Sequence, residues 1–70
     1  KNGGVFVKAP KRGQDLRIDM PTIGPETVRA VASSGLSAIL LSAGNVIVLE
    51  QDETIRLAEA SGISLIAQDI

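Results

Sequence analysis

The alternation of apolar and polar residues predicts two extended segments near the start of the chain. GVFVKA alternates around Val5 and Val7, which is typical of a β-strand near 4–9. A loop follows, and residues 15–20 then alternate strictly between polar and apolar side chains. This pattern predicts a second, half-buried extended segment, and Pro21 closes it.

An internal repeat fills most of the remaining chain. ETVRAVASSGLSAI (26–39) and ETIRLAEASGISLI (53–66) align without a gap at an offset of 27, with seven identical residues. Each copy predicts a helix, a stop and a strand. Gly35 and Gly62 follow the last predicted helical residue, where a left-handed backbone is common. We therefore expect both copies to have the same secondary structure.

The flanking residues predict where the two helices begin. Pro25 suits the first helical turn, because its missing N–H costs nothing there. Asp52, at the equivalent place in the second copy, suits a helix start through capping or through the helix dipole. Helices are therefore expected near 25–34 and 53–61. Serines near the predicted helix ends, Ser33, Ser34 and Ser61, are interpreted as helix-end residues.

The first repeat's strand, near 37–42, is followed by AGN and a second apolar run near 46–50. Such a short connection with Gly and Asn favours a hairpin. A last strand is expected near 63–67. Together these elements predict an α/β fold, with a mixed sheet and two short helices, as a fragment of a larger α/β domain.

Composition excludes several kinds of chemistry and limits the residue types that can form the core. The chain has 70 residues with no Cys and no His, which excludes a disulfide, a Cys/His zinc site, a Ser-His-Asp triad and a cysteine nucleophile within it. Phe6 is the single aromatic residue, so the core must be aliphatic. A mean hydropathy of +0.25 is high for so short a chain. We expect some strands to be covered by protein outside it.

Charge is unevenly spread along the chain. Residues 1–17 contain five cations against Asp15 alone, whereas residues 18–70 contain two cations against seven acids. A short basic segment without interleaved aromatic residues suits a small anionic ligand better than nucleic acid. No apolar run approaches the length of a membrane span, and we recognise no signal peptide or lipidation motif in these residues.

The basic segment and the carboxylates that follow it are the candidate site. Carboxylates, cations, hydroxyls and backbone amides suit phosphate-ester or diphosphate chemistry with an oxygen-bound Mg²⁺. Asp15 and Asp19 can ligate a hard cation or position water, and the start of the first helix, TIGPE (22–26), offers amides to an anion. The phosphoryl oxygens would be neutralised by Lys8, Lys11, Arg12 and Arg17.

Each of these residues also has a purely structural interpretation. Residues 15–20 can be a strand with one solvated face, on which Arg17 pairs with its neighbouring aspartates. Lys11 and Arg12 can lie in a solvated turn. The repeated charges in the two helices, Glu26, Arg29, Glu53 and Arg56, are interpreted as helix-surface residues. The residues alone therefore support a polyanion-binding loop on an α/β scaffold.

In addition to these patterns, the sequence contains a long motif that resembles a known protein family. KAPKRGQDLRIDMPTIGPETV is similar to the signature of the LpxI family of UDP-2,3-diacylglucosamine pyrophosphatases, in the C-terminal part of its catalytic domain. The downstream AGNVIVLEQDETIRLAEASGI resembles the end of the same domain. The resemblance covers the whole chain and about the last quarter of a family member. The residues that match the signature are Lys8, Pro10, Lys11, Gln14, Asp15, Arg17, Asp19, Pro21, Thr22, Gly24 and Thr27.

The resemblance implies an enzyme of lipid A biosynthesis. In this family, Mg²⁺-dependent hydrolysis of the diphosphate of UDP-2,3-diacylglucosamine gives UMP and lipid X at the cytoplasmic face of the inner membrane. It implies that residues 1–24 hold a strand and an active-site loop, and that residues 25–70 are scaffold. Asp15, Arg17 and Asp19 would be catalytic, and the two aspartates would bind Mg²⁺. Substrate would be bound by Lys8, Lys11, Gln14, Thr22 and Gly24.

The expected partners are the lipid substrate, an N-terminal domain outside this chain, and further copies of the protein in a homo-oligomer; nucleic acid is not expected. A second hypothesis remains beside the hydrolase. The same loop could serve a non-catalytic α/β module that binds phosphate or a nucleotide. Dependence of UMP release on Mg²⁺ and on the two aspartates would distinguish the hypotheses.

Overall fold

The computed structural model describes residues 3–10 and 20–70. It confirms the α/β class with two short helices, and the order of elements agrees with the sequence pattern except that a strand follows Pro21, where the predicted extended segment was expected to end. The predicted extended segment over 15–20 lies outside the described residues, apart from Met20. The elements are β1 Val5–Lys8, β2 Thr22–Ile23, α1 Pro25–Ser33, β3 Ala38–Ser42, β4 Ile47–Val48, α2 Gln51–Ala60 and β5 Ser64–Gln68.

The described strands form two parallel sheets rather than one mixed sheet, and the predicted hairpin is wrong. One sheet has the order β1-β3-β5, and the other pairs β2 with β4. The AGN connection does make a turn, in which the Asn45 N–H donates to the Ser42 carbonyl at 3.0 Å. However, β4 does not fold back onto β3. It lies beside β2, where the Ile47 N–H donates to the Pro21 carbonyl at 2.9 Å.

Both helices lie on the same face of the β1-β3-β5 sheet. The chain steps from β1 to β3 through α1 and from β3 to β5 through α2, and right-handed crossovers in one direction place their helices on one face. Accordingly, Val28 and Val31 of α1 and Ala58 of α2 share a buried aliphatic core with Ile39 and Leu41 of β3. Phe6 packs against the edge of this core.

The carboxyl ends of the two helices are stabilised in the same way. Gly35 (φ +80°) and Gly62 (φ +72°) are both left-handed, as the repeat predicts. In α1 the Gly35 N–H donates to the Ala32 carbonyl and the Leu36 N–H to the Val31 carbonyl. These two bonds make a Schellman motif, in which amides beyond the helix satisfy its last carbonyls.

In α2 the bonds run from Gly62 to Glu59 and from Ile63 to Ala58, at the same positions. Residues 26–39 and 53–66 thus have matching secondary structure, which differs only at Ser37 and its counterpart, Ser64. The expected equivalence of the two copies is confirmed.

The amino ends of the helices agree with the sequence only in part. Pro25 is the first residue of α1, as predicted. Helix α2 begins at Gln51, so Asp52 lies inside its first turn rather than at a capping position. There its negative charge faces the positive end of the helix dipole, which is one of the two predicted roles.

Candidate functional site

Most of the residues predicted to do chemistry lie outside the described part of the chain. The segment 11–19, outside the described residues, contains Lys11, Arg12, Gln14, Asp15, Arg17 and Asp19. The predicted placement of Asp15, Arg17 and Asp19 on one side of an extended segment therefore stays a prediction. The predicted site residues that the structure describes are Lys8, Thr22 and Gly24.

Lys8 is the last residue of β1, at the carboxyl edge of the three-stranded parallel sheet. It is half-buried and lies opposite Leu41 of β3. Alternation along β1 puts Lys8 on the same face as Phe6, which is the face that carries the helices. The candidate loop follows directly. The carboxyl edge of a parallel sheet is where α/β proteins usually bind their ligands.

Thr22 and Gly24 line a cleft of about 630 Å³ where both helices begin. The short parallel strands β2 and β4 lead into α1 and α2 respectively, so the two helix amino ends open onto the same space. We call this space the helix-start cleft. Its remaining lining consists of Ile23, Pro25, Glu26, Thr27, Arg29, Leu49, Glu50 and Glu53.

The backbone at the start of α1 is largely engaged by its own hydrogen bonds. The Gly24 N–H donates to the Thr27 hydroxyl at 3.1 Å, and the Thr27 N–H donates back to the Gly24 carbonyl at 3.0 Å. Pro25 has no N–H to offer. The amide supply that TIGPE was expected to give an anion is therefore smaller than the sequence indicates. Whether Gly24 binds substrate stays a prediction.

The start of α2 is held by a different arrangement. Thr54 is fully buried, and its hydroxyl donates to the Leu49 carbonyl at 2.8 Å. The Thr54 N–H donates to the carbonyl of Glu50 at 2.9 Å. Glu50 has a left-handed backbone (φ 46°, ψ 59°), which is unusual for a residue with a side chain. The buried hydroxyl therefore fixes a strained turn beside the cleft.

The charged side chains of the cleft are mostly acidic. Glu26, Glu50 and Glu53 line it together with Arg29. Glu53 also lies against Arg56, whose guanidinium donates to both carboxylate oxygens, with the closer contact at 2.6 Å. This hydrogen bonding, with smaller electrostatic contributions from Arg56 and Arg29, lowers the pKa of Glu53 despite some opposing desolvation. The same pair raises the pKa of Arg56.

This acidic lining means that the described cleft does not by itself neutralise a diphosphate. The cations suited to that role are Lys8 and the residues of the following loop. Within residues 3–10 and 20–70, no group of three or more His, Cys, Asp or Glu residues is placed so that it could hold a metal ion. The carboxylates with the oxygen chemistry that Mg²⁺ prefers, Asp15 and Asp19, belong to residues 11–19, outside the described part of the chain.

The repeat predicts that Glu26, Arg29 and Glu53 lie on helix surfaces, and the structure agrees. The structure also brings all three side chains to the cleft. The repeat alone could not show this. The two helix starts lie side by side because β2 pairs in parallel with β4, and this pairing joins residues that are far apart in the chain. For Leu49 and Glu50 the sequence also held no signal.

Comparisons of the sequence with known proteins place this chain in a family. The family model described as the LpxI C-terminal domain matches residues 1–66. The UDP-2,3-diacylglucosamine pyrophosphatase LpxI of Caulobacter vibrioides is 38% identical over 66 residues, which is 94% of this chain and 24% of that protein. The chain belongs to the LpxI C-terminal domain family. It spans about a quarter of the length of the curated relative it matches.

None of the helices in the described ranges is long and apolar enough to cross a membrane.

Proposed function

We propose that this chain is the C-terminal part of a UDP-2,3-diacylglucosamine pyrophosphatase that acts in lipid A biosynthesis. The observation that carries the proposal is the match to the LpxI C-terminal domain over residues 1–66, together with the 38% identity to the Caulobacter enzyme. In the proposed reaction, water attacks one phosphorus of the diphosphate and the P–O–P bridge breaks. The products are UMP and lipid X, the acylated sugar phosphate.

The fold supports a site in the loop that follows β1. The segment that contains it is preceded by Lys8, at the carboxyl edge of the three-stranded sheet, and followed by Thr22, on the strand that leads into α1. Its two ends are thus fixed by a parallel sheet and by the helix-start cleft. A loop held at both ends by rigid elements can position several side chains around one ligand.

The proposed roles follow from the chemistry of each side chain. Asp15 and Asp19 would hold Mg²⁺, which when bound would neutralise negative charge on the diphosphate. Arg17 would stabilise the charge that develops on the phosphoryl oxygens as water attacks, and one aspartate would orient that water.

The remaining predicted residues would bind and orient the substrate. They would not act on the reacting phosphoryl group itself. Cationic Lys8 and Lys11 would neutralise phosphate oxygens. Gln14 and Thr22 would donate hydrogen bonds, and the absence of a side chain at Gly24 would leave room at the start of α1.

The decisive experiment compares Asp15→Asn and Asp19→Asn in the full-length protein. Both changes keep the size of the side chain and remove its charge. We expect UMP release from UDP-2,3-diacylglucosamine to fall by at least about a hundredfold, as is usual when a group stabilising the transition state is lost. Glu59→Gln is a matched control, because Glu59 is exposed on α2 and does not line the cleft. It should keep normal turnover.

Removal of divalent cations tests whether the proposed reaction requires Mg²⁺. Chelation should abolish UMP release, and Mg²⁺ should restore it. Normal turnover in both aspartate variants would contradict the catalytic role of the loop. Binding of UDP without any UMP release, in the presence of Mg²⁺, would favour the alternative of a non-catalytic nucleotide-binding module.

The same proposal places the full-length protein in the cytoplasm, at the periphery of the inner membrane, because its substrate is a diacylated lipid with a nucleotide headgroup. A further part of the proposal is that the full-length protein forms a homo-oligomer. Sedimentation of the full-length protein, alone and with vesicles that contain the substrate, measures both properties.

A further inference from the structure

On the face of the β1-β3-β5 sheet opposite the helices, the described residues leave a group of aliphatic side chains partly exposed. Partners in a parallel pair point to the same side, so Val7, Leu40 and Ile66 form one row across the three strands. Val5 lies beside that row on β1. Val5 and Val7 are 53% and 54% exposed, and Ile66 is 39% exposed. We call these four residues the bare face.

An uncovered face is unusual for this kind of sheet. Purely parallel sheets occur almost only with both faces covered, because their crossover connections lie against the faces. Here both crossovers contain helices that pack on the other face, around Ile39 and Leu41. Neither of them can also cover Val7 and Ile66.

The size of the bare face indicates what covers it. Three strands spaced about 4.8 Å apart, each four or five residues long, make a whole face of roughly 14 by 15 Å, on the order of 200 Å², and the bare face is only part of it. A stable interface between two proteins buries about 800 Å² on each partner. One α-helix, about 10 Å in diameter, matches the smaller area.

We propose that the bare face packs against an α-helix of the same polypeptide, from outside these 70 residues. The Caulobacter relative supplies the length that this requires, because about three quarters of it lies beyond the matched segment. The apolar stripe of an amphipathic helix is the usual complement to such a row of aliphatic side chains. Any homo-oligomer would then use a different surface.

A photo-crosslinker identifies what covers the bare face. In the full-length protein, Val7 is replaced by p-benzoylphenylalanine, the sample is irradiated, and crosslinked peptides are sequenced by mass spectrometry. We expect a link to a peptide outside residues 1–70, in a product with the mass of one chain. A product with the mass of two chains, a link within residues 1–70, or no link would overturn the proposal.

Cysteine labelling tests the same surface without a bulky probe. Residues 1–70 contain no Cys, so Val7→Cys and Ile66→Cys in the full-length protein each give a unique labelled peptide. Arg56→Cys is the control, because the Arg56 side chain is 65% exposed.

We expect maleimide to react at Val7→Cys and Ile66→Cys at least about tenfold more slowly than at Arg56→Cys, because reaction at a covered site requires local opening. In urea the three rates should become equal. Equal rates in the native protein would overturn the proposal. Should Val7→Cys fail to fold, Ile66→Cys on the other edge strand provides the same comparison.

Discussion

At their carboxyl ends helices α1 and α2 make the same two backbone hydrogen bonds beyond the last turn, whereas at their amino ends equivalent threonines make different ones. Gly35 and Gly62 close two matching Schellman motifs. At the amino ends, Thr27 accepts a hydrogen bond from the Gly24 N–H, but Thr54 donates one to the Leu49 carbonyl. The two copies therefore carry equivalent residues at both ends of their helices, but only the carboxyl ends have the same local structure.

The reason for this difference is the backbone that leads into each helix. Gly24 is extended (φ −159°), whereas Glu50 is left-handed, and α2 begins one residue earlier relative to the repeat. A carboxyl cap depends on a few neighbouring residues, so equal sequence gives equal structure. The start of each helix depends also on the strand that precedes it, which is β2 for α1 and β4 for α2. These two strands pair with each other beside the helix-start cleft.

Loss of the Thr54 hydroxyl should have the largest effect on stability. Thr54→Val keeps the shape of the side chain but leaves the Leu49 carbonyl without its donor, at a cost of about 1–3 kcal/mol. Thr27→Val should cost less, because Thr27 is only half-buried and water can reach the Gly24 N–H. Denaturant unfolding of both variants measures the difference. Equal losses would mean that the two threonines have equivalent roles.

Substitution of the capping glycines should have equal effects in the two copies. Gly62→Ala puts a side chain on a left-handed residue, which costs about 1–2 kcal/mol. A Cβ at Gly62 would meet nothing within 4 Å, so this loss is conformational rather than steric. Gly35→Ala should lower the free energy of unfolding by a similar amount.

Asparagine tolerates the left-handed region better than alanine, so Gly62→Asn is the control and should lose less stability. A much smaller loss in one glycine-to-alanine variant than in the other would contradict the equivalence of the caps.

Relief of backbone strain at the start of α2 should stabilise the protein. Glu50→Gly removes the side chain that disfavours a left-handed backbone, but it also increases the entropy of the unfolded chain. We expect a net gain of up to about 1 kcal/mol. Glu50→Gln, which keeps the strain and removes the charge, is the control. A gain in Glu50→Gln equal to that in Glu50→Gly would show that charge, not strain, is responsible.

The smallest expected effect concerns the ion pair of the second copy. Arg56→Gln should raise the pKa of Glu53 towards its ordinary value, since the Arg56 hydrogen bond is the main cause of the lowered pKa. Arg29→Gln should raise it less, because Arg29 acts only through its charge. Carboxyl carbon NMR titrations of the variants measure both changes.

The sign of the pH dependence follows from the lowered pKa. Since the folded protein binds this proton less tightly than the unfolded chain does, the stabilising contribution is present above about pH 4.5. It is lost as the pH falls through the lowered pKa. In Arg56→Gln this part of the acid dependence should be weaker. An unchanged Glu53 titration in Arg56→Gln would contradict the assigned cause.

Local features of this protein could be predicted from its sequence. The helix ends at Gly35 and Gly62, the start of α1 at Pro25 and the order of elements all depend on residues close together along the chain. The repeat indicates that two helix–strand units share one structure. The long motif in 8–27 indicates the family by itself, because a motif of that length combines many residue identities at fixed spacing.

Strand pairing was decided only by the tertiary structure. The turn after Ser42 forms as the sequence indicates, but a turn does not choose the partner of the next strand. Ile47 pairs instead with Thr22, far earlier in the chain, since pairing depends on which apolar faces the whole fold buries together. The same parallel pairing brings Glu26, Arg29 and Glu53 to one cleft. Helical periodicity could place those side chains on a surface, but not beside one another.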